Sequence, residues 1–224
     1  MSKSAGSYYF KEGLSCLFEM ATDNARQLLP GHLQPLEKQP DTSVLSVSVF
    51  DFFDGDAGPY QELVLSILVP PLIALGERLP KAALYPFVVA TSTELGRSQG
   101  IERWKLPHLM RDIDIAFAEG DREMGLRVED RGVPVLELTT TKHTFDPTEL
   151  LFHAFMSDSE GNYKANITMK GEGYSEHEFE RGALVLFEHE MTAGLNREEV
   201  SDCPFREQWM RNGVEIFSPL ETLT

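Results

Sequence analysis

The chain is poor in several things that would assign it a role at once. Its 224 residues include two cysteines and two tryptophans, and 20 Lys and Arg stand against 36 Asp and Glu, a formal charge of −16. Cys16 and Cys203 show no Cys-x-x-Cys spacing, which points to a reducing, cytoplasmic compartment and away from a disulfide framework. No basic cluster exists to neutralise phosphates, so nucleic acid and anionic membrane are excluded as expected partners. The longest apolar stretch, Leu63 to Leu75, is too short for a bilayer and is interrupted by Pro70-Pro71; the first ten residues lack the apolar run of a signal peptide. His-Glu-x-x-His, zinc and calcium spacings, Gly-Lys-Ser/Thr and Gly-x-Gly-x-x-Gly are all missing, and no metal or cofactor is expected. The histidines His32, His108, His143, His153, His177 and His189 are scattered. Glu176-His177-Glu178 falls in a polar turn, and Glu188-His189-Glu190 splays across a strand.

What is present reads as short strands. Val44 to Phe53 alternates Leu45, Val47 and Val49 with Ser46 and Ser48, the period of a half-buried strand. Asp54 to Pro59 is a turn, and Glu62 to Val69 is apolar on both faces, a central strand with Glu62 at its start. Leu84 to Ala90 contains Pro86, which demands an edge or a bulge. Further strands are predicted at Gly13 to Met20, 112–117, 123–129, 133–142, 149–156, 163–170, 182–189 and Val214 to Phe217. A short helix follows Thr22 or Asp23, another runs from about Thr93 to Arg103, and one or two more lie between Asn196 and Met210. Residues 1–12 are expected to be loose, at least through residue 7. With no repeat or linker, this is one domain over 1–224, mainly β with peripheral helices (α+β), an antiparallel barrel or sandwich.

Gly100-Ile101-Glu102-Arg103-Trp104-Lys105-Leu106-Pro107-His108 closes the second helix, turns at a proline and feeds the next strand. It resembles the active-site segment of the acetoacetate decarboxylase family, Gly-Arg-Glu-x-x-Gly-x-Pro-Lys. Leu28 to Leu33, Gly58-Pro59-Tyr60-Gln61-Glu62 and Ala183 to His189 are similar to other landmarks of that family, in order, over roughly residues 8 to 218. The resemblance implies an acetoacetate decarboxylase-like antiparallel β-barrel with a buried polar pocket, a small-molecule ligand such as a carboxylate, and a homo-oligomer.

It also implies a departure in chemistry. His108 stands where the family has its Schiff-base lysine, and Leu109 where the neighbouring lysine lowers the pKa of that amine. Lys105, three residues earlier, should face away in extended chain. The family's carboxylate-binding arginine aligns with Lys11, and its second glutamate falls near Val47, so that only Glu62 matches a family acid. Decarboxylation through an iminium is therefore not expected. The expectation is acid/base chemistry by His108 and Glu62 on a small oxo acid or polyketide-like metabolite, with Lys11, Tyr60, Arg97 and Trp104 as candidate binding residues. The alternative is a barrel that binds a small molecule without turning it over.

Overall fold

The computed structural model describes residues 5–109, 112–176 and 181–223. In chain order the strands and helices are β1 (Gly6–Ala21), α1 (Thr22–Gln27), β2 (Glu37–Gln39), β3 (Thr42–Gly55), β4 (Tyr60–Leu68), β5 (Ala82–Thr91), α2 (Glu94–Trp104), β6 (Ile113–Glu119), β7 (Glu123–Asp130), β8 (Val133–Thr141), β9 (Asp146–Asp158), β10 (Gly161–Glu176), β11 (Ala183–Leu186), β12 (Arg206–Phe217) and β13 (Glu221–Leu223). The main sheet runs β1-β12-β10-β9-β5-β4-β3, and β1 also pairs with β3, which closes it into a seven-stranded barrel. β2 and β13 extend it. Among the described residues every strand pairing is antiparallel except β5 with β9, where Ala82 to Leu84 run alongside Phe152 to Ala154; an isolated bridge of Val89 to His108 is also parallel.

A second sheet, β11-β8-β7-β6, lies against the outside of the barrel. The two are joined by one apolar core. Leu14, Cys16, Phe18, Leu45, Val47, Val49, Leu63 and Leu65 point outward from β1, β3 and β4 to meet Ile115, Leu126, Val128, Leu136 and Leu138. The alternate residues of those strands point inward. This is why β4 has no solvent-facing side: it is covered on one side by the second sheet and on the other by the barrel interior.

Several elements differ from the sequence expectations: β11 ends at Leu186 and not at residue 189, and His189 instead caps a single-turn helix at Glu190–Thr192. β1 begins at Gly6, not Gly13; Tyr8 and Phe10 pack against the barrel, as their apolar character suggests, but as members of its first strand. The stretch from Asn196 to Met210 holds only a single-turn helix at Arg197–Glu199, and β12 starts at Arg206. Its pairing with β1 and β10 outweighs local propensity. Thr22 begins α1 without a side-chain cap, its hydroxyl bonded to Ser43. Pro86 does sit at a bulge, where the β4–β5 register skips a residue between Leu65 and Ser66. His177 and Glu178 lie outside the described residues. No helix among the described residues is long and apolar enough to cross a membrane.

Gly213, paired with Phe10 of β1, is closely packed in the barrel wall. A Cβ there would stand 2.4 Å from Phe10 Cζ and 2.5 Å from the Lys170 carbonyl. Gly213→Ala should lower the free energy of unfolding by about 1–3 kcal/mol in urea titrations. A change below about 0.5 kcal/mol would mean the barrel wall is not close-packed at this position.

Candidate active site

The barrel interior is built by period two. From β4, Tyr60, Glu62, Val64 and Ser66 point inward, facing Phe52, Phe50, Ser48 and Ser46 of β3 in register. From β12, Glu215 and Phe217 do the same, with Glu215 paired to Tyr8 of β1 and Met169 of β10. β4 and β12 are separated by β3 and β1, so the Glu62 and Glu215 side chains meet across the interior and not along one sheet.

They border a cavity of about 70 Å³ walled mainly by apolar side chains, among them Phe50, Val64, Phe152, Ile167, Met169 and Phe217. A water needs roughly 10–15 Å³ on this measure, so the space admits several waters or a small organic group. A smaller void of about 10 Å³ continues from the two carboxyls to Tyr60, Tyr8, Trp104 and the inner side of α2.

Both carboxyls are buried, Glu62 to 8% exposure and Glu215 to 6%. Among the described residues neither has a hydrogen-bonding or ion-pair partner. Ionising such a group in an apolar cavity would cost several kcal/mol of lost hydration, more than a proton costs to retain at neutral pH. Burial accordingly pushes Glu215 up to about 8. Burial, and then the charge of Glu215, holds Glu62 well above the usual carboxylate range. The neighbouring phenols stay protonated for the same reason, Tyr8 raised to about 12 and Tyr60 raised well above its ordinary value.

α2 roofs this end of the barrel. Thr93 caps it through Gly96 N–H at 3.2 Å, and Lys105 ends it in the left-handed conformation at φ 58°. Arg103 ties its last turn to Asp56 at 2.5 Å and to the Ala5 carbonyl at 2.8 Å, and Gln99 reaches the Asp56 carbonyl. Trp104 is buried, stacks near Phe217 and donates its indole N–H to the Tyr8 hydroxyl at 2.6 Å.

The sequence-predicted residues separate into two groups. Glu62, Tyr60 and Trp104 come together at the smaller void. His108, Arg97 and Lys11 line neither that void nor the main cavity. The His108 ring packs on Gly100, where a Cβ would approach Nε2 to 1.9 Å, and both its nitrogens are buried without a partner. Burial and then the Arg97 guanidinium depress its pKa to about 4. Arg97 is itself buried and bonded to Asp112 at 3.3 Å and to the Thr91 carbonyl at 3.4 Å. Lys11 sits in the β1 bulge with its side chain 64% exposed, 4.0 Å from Asp51. Lys105 is held outside by Asp158 at 2.9 Å and Glu160 at 3.2 Å.

Val47, where an ungapped count placed a second acid, points into the core between barrel and second sheet. The second interior acid is Glu215, which the sequence reading did not single out. Its signal was a lone carboxylate in Val214-Glu215-Ile216-Phe217, an otherwise apolar strand. Tyr8 and the serines Ser15, Ser48 and Ser66 also line this interior, and none of them is among the sequence-predicted site residues.

A carboxyl raised by folding keeps a proton that the unfolded chain has already released. For Glu215 this holds between its ordinary value of 4.5 and about 8, and folding stability falls as pH rises through that window. Glu215→Gln removes this contribution. Urea midpoints of the variant and the parent should diverge with rising pH from 5 to 8, the variant gaining. A difference constant with pH would show that this carboxyl is ionised in the folded protein.

No protein-family model matches the chain, and no curated protein sequence matches it. Solved structures do. An acetoacetate decarboxylase from Legionella pneumophila subsp. pneumophila str. Philadelphia 1 superposes with a TM-score of 0.68 at 13% identity, covering 100% of this chain and 88% of that one. The enduracididine biosynthesis enzyme MppR, complexed with pyruvate, gives 0.61 at 11% identity over 98% and 90%. An acetoacetate decarboxylase-like enzyme from Sphingomonas wittichii RW1 gives 0.60 at 12% over 100% and 94%. The likeness extends over nearly the whole length, and the chain has the acetoacetate decarboxylase-like fold.

Proposed function

We propose that this protein is an enzyme that moves protons on a small carbonyl compound without forming a covalent adduct, using Glu62 and Glu215 as the acid/base pair. The observation that carries the reading is the placement of two unpartnered, buried carboxyls on the wall of one apolar cavity. Two such groups titrate as a pair, in steps that belong to both. The one that releases its proton nearer neutrality serves as base and the one held more firmly as acid.

Glu215 takes a proton from the carbon next to the carbonyl, and that C–H electron pair becomes the C=C bond of an enol. The carbonyl oxygen accepts the proton of Glu62. Return of a proton to carbon gives exchange or isomerisation. Loss of a β-hydroxyl from the enol gives dehydration, and addition to a second carbonyl gives cyclisation or condensation. The apolar walls exclude water and strengthen both hydrogen bonds. The Tyr8 and Tyr60 hydroxyls lie at the same end of the cavity and can orient the oxygen.

No lysine lines the main cavity, and the position after Pro107 is His108, which supports chemistry without an iminium. The acid/base pair in this reading is Glu62 with Glu215 and not with His108, whose ring turns to Gly100. The similar structures of MppR with pyruvate and with the condensation product of pyruvate and imidazole 4-carboxaldehyde support an oxo acid as the substrate class.

Incubation with oxo acids in deuterated buffer tests this. Exchange at the carbon next to the carbonyl should fall by about 10²–10⁴-fold in Glu62→Gln and Glu215→Gln, while His108→Ala keeps most of it. Borohydride should trap no adduct. Binding without exchange in the parent protein would favour a non-catalytic binding barrel, and a reduced lysine adduct would contradict the mechanism.

A further inference from the structure

The other end of the barrel interior carries the opposite charge. There the exposed Lys81, just before β5, and the half-buried Arg206, at the start of β12, border a small cavity of about 10 Å³ with Gln208, Ser15 and Ser46. This cavity shares Ser15, Leu84 and Phe152 with the main one, so the two are consecutive parts of one interior. In a chain with 36 acidic residues against 20 basic ones, a cation without a carboxylate is uncommon. Among the described residues, neither Lys81 nor Arg206 pairs with one. The Arg206 Nε is buried with no hydrogen-bond partner, and so is the amide nitrogen of Gln208, a residue only 8% exposed. Buried donors left unmade cost stability unless something else accepts from them.

Ser15, Ser46 and Ser48 link the two ends. Ser15 Oγ lies 2.9 Å from Ser48 and 3.4 Å from Ser46. Partial burial, with the Arg206 charge beside it, lowers the Lys81 pKa. An anion placed between the two cations would relieve that repulsion.

We infer that this mouth is a carboxylate anchor, and that the substrate is an oxo acid whose carboxylate and reacting carbonyl are separated by an apolar chain spanning the barrel. The inference rests on the acid/base reading for the position of the carbonyl, and adds the far end of the molecule and its length. Along β4 the level of Glu62 is four residues from that of Ser66, about 13 Å of strand. A β-oxo acid as short as acetoacetate cannot touch both ends. The side chains between, Phe50, Val64, Leu84 and Phe152, suit methylenes or a ring and offer a second charge nothing.

Calorimetric titration of the full chain with 6-oxoheptanoate, 2-heptanone and acetoacetate tests this, since the first two differ only in carboxylate against methyl. The acid should bind roughly 10-fold or more tightly than the ketone, as hydrogen bonds to charged groups are worth about 1.5–3 kcal/mol. Arg206→Gln and Lys81→Gln should remove that gain and leave 2-heptanone unchanged. Acetoacetate should bind more weakly than 6-oxoheptanoate and be insensitive to either substitution. Equal binding of acid and ketone, or an equal loss for both in the two variants, overturns the anchor. Acetoacetate binding as tightly as the longer acid overturns the length. If 6-oxoheptanoate shows the Arg206-dependent gain but no deuterium exchange, the anchor stands and the acid/base reading fails. If both ketone and acid exchange at the same affinity, the acid/base reading stands and the anchor fails.

Discussion

The double pairing of β1, with β12 on one side and β3 on the other, is the constraint on which the rest depends. It turns an open sheet into a closed one, and closure removes every choice about where alternate side chains go. Once β1 is seated, Leu14, Cys16 and Phe18 must face the second sheet and Ser15 must face the interior. The same rule sends Leu63 and Leu65 outward and Glu62 inward, then Glu215 inward from β12. Two carboxyls are thereby forced into an apolar space with no cation beside them. Their raised pKa is a consequence of topology and burial, and needs no further device.

Closure also explains the role of α2. A barrel end left open would wet the acid pair and return it to ordinary ionisation. The roof formed by Trp104, Leu106 and the inner side of α2 prevents this, and Arg103, Gln99 and Lys105 fasten it through Asp56, Asp158 and Glu160. Gly100 belongs to this roof, because the His108 ring occupies the space a side chain there would need. The histidine in the place that the family pattern gives to its reactive lysine packs against Gly100 behind the helix, its pKa depressed by burial and then by Arg97.

Much of this was legible in the sequence. The period-two strands, an edge or bulge at Pro86, a helix leading to Arg103 and the separation of Glu62, Val64 and Ser66 from Leu63 and Leu65 all follow from local patterns. What was not legible depended on pairing between distant strands. The aromatic run Tyr8-Tyr9-Phe10 suggests packing against the barrel, but that residues 6–12 are a barrel strand depends on partners at 211–217 and 51–55. Counting along the chain put the family's second glutamate near Val47 on β3 and so found no second acid, whereas the interior takes one from β12, about 170 residues later, where only the three-dimensional closure brings Glu215 opposite Glu62. His108 was placed in the cavity by analogy of position. Its ring direction is set by Gly100 and the turn at Lys105, which the motif alone does not encode.

The central claim is that the barrel holds at least one neutral carboxylic acid at neutral pH. Infrared spectroscopy in deuterated buffer reads this directly, because a protonated carboxyl has a carbonyl stretch well separated from that of a carboxylate. The parent protein should show that band near pH 7, weakened in Glu62→Gln and in Glu215→Gln and lost when both are replaced. A spectrum with carboxylate bands alone at that pH would contradict the account.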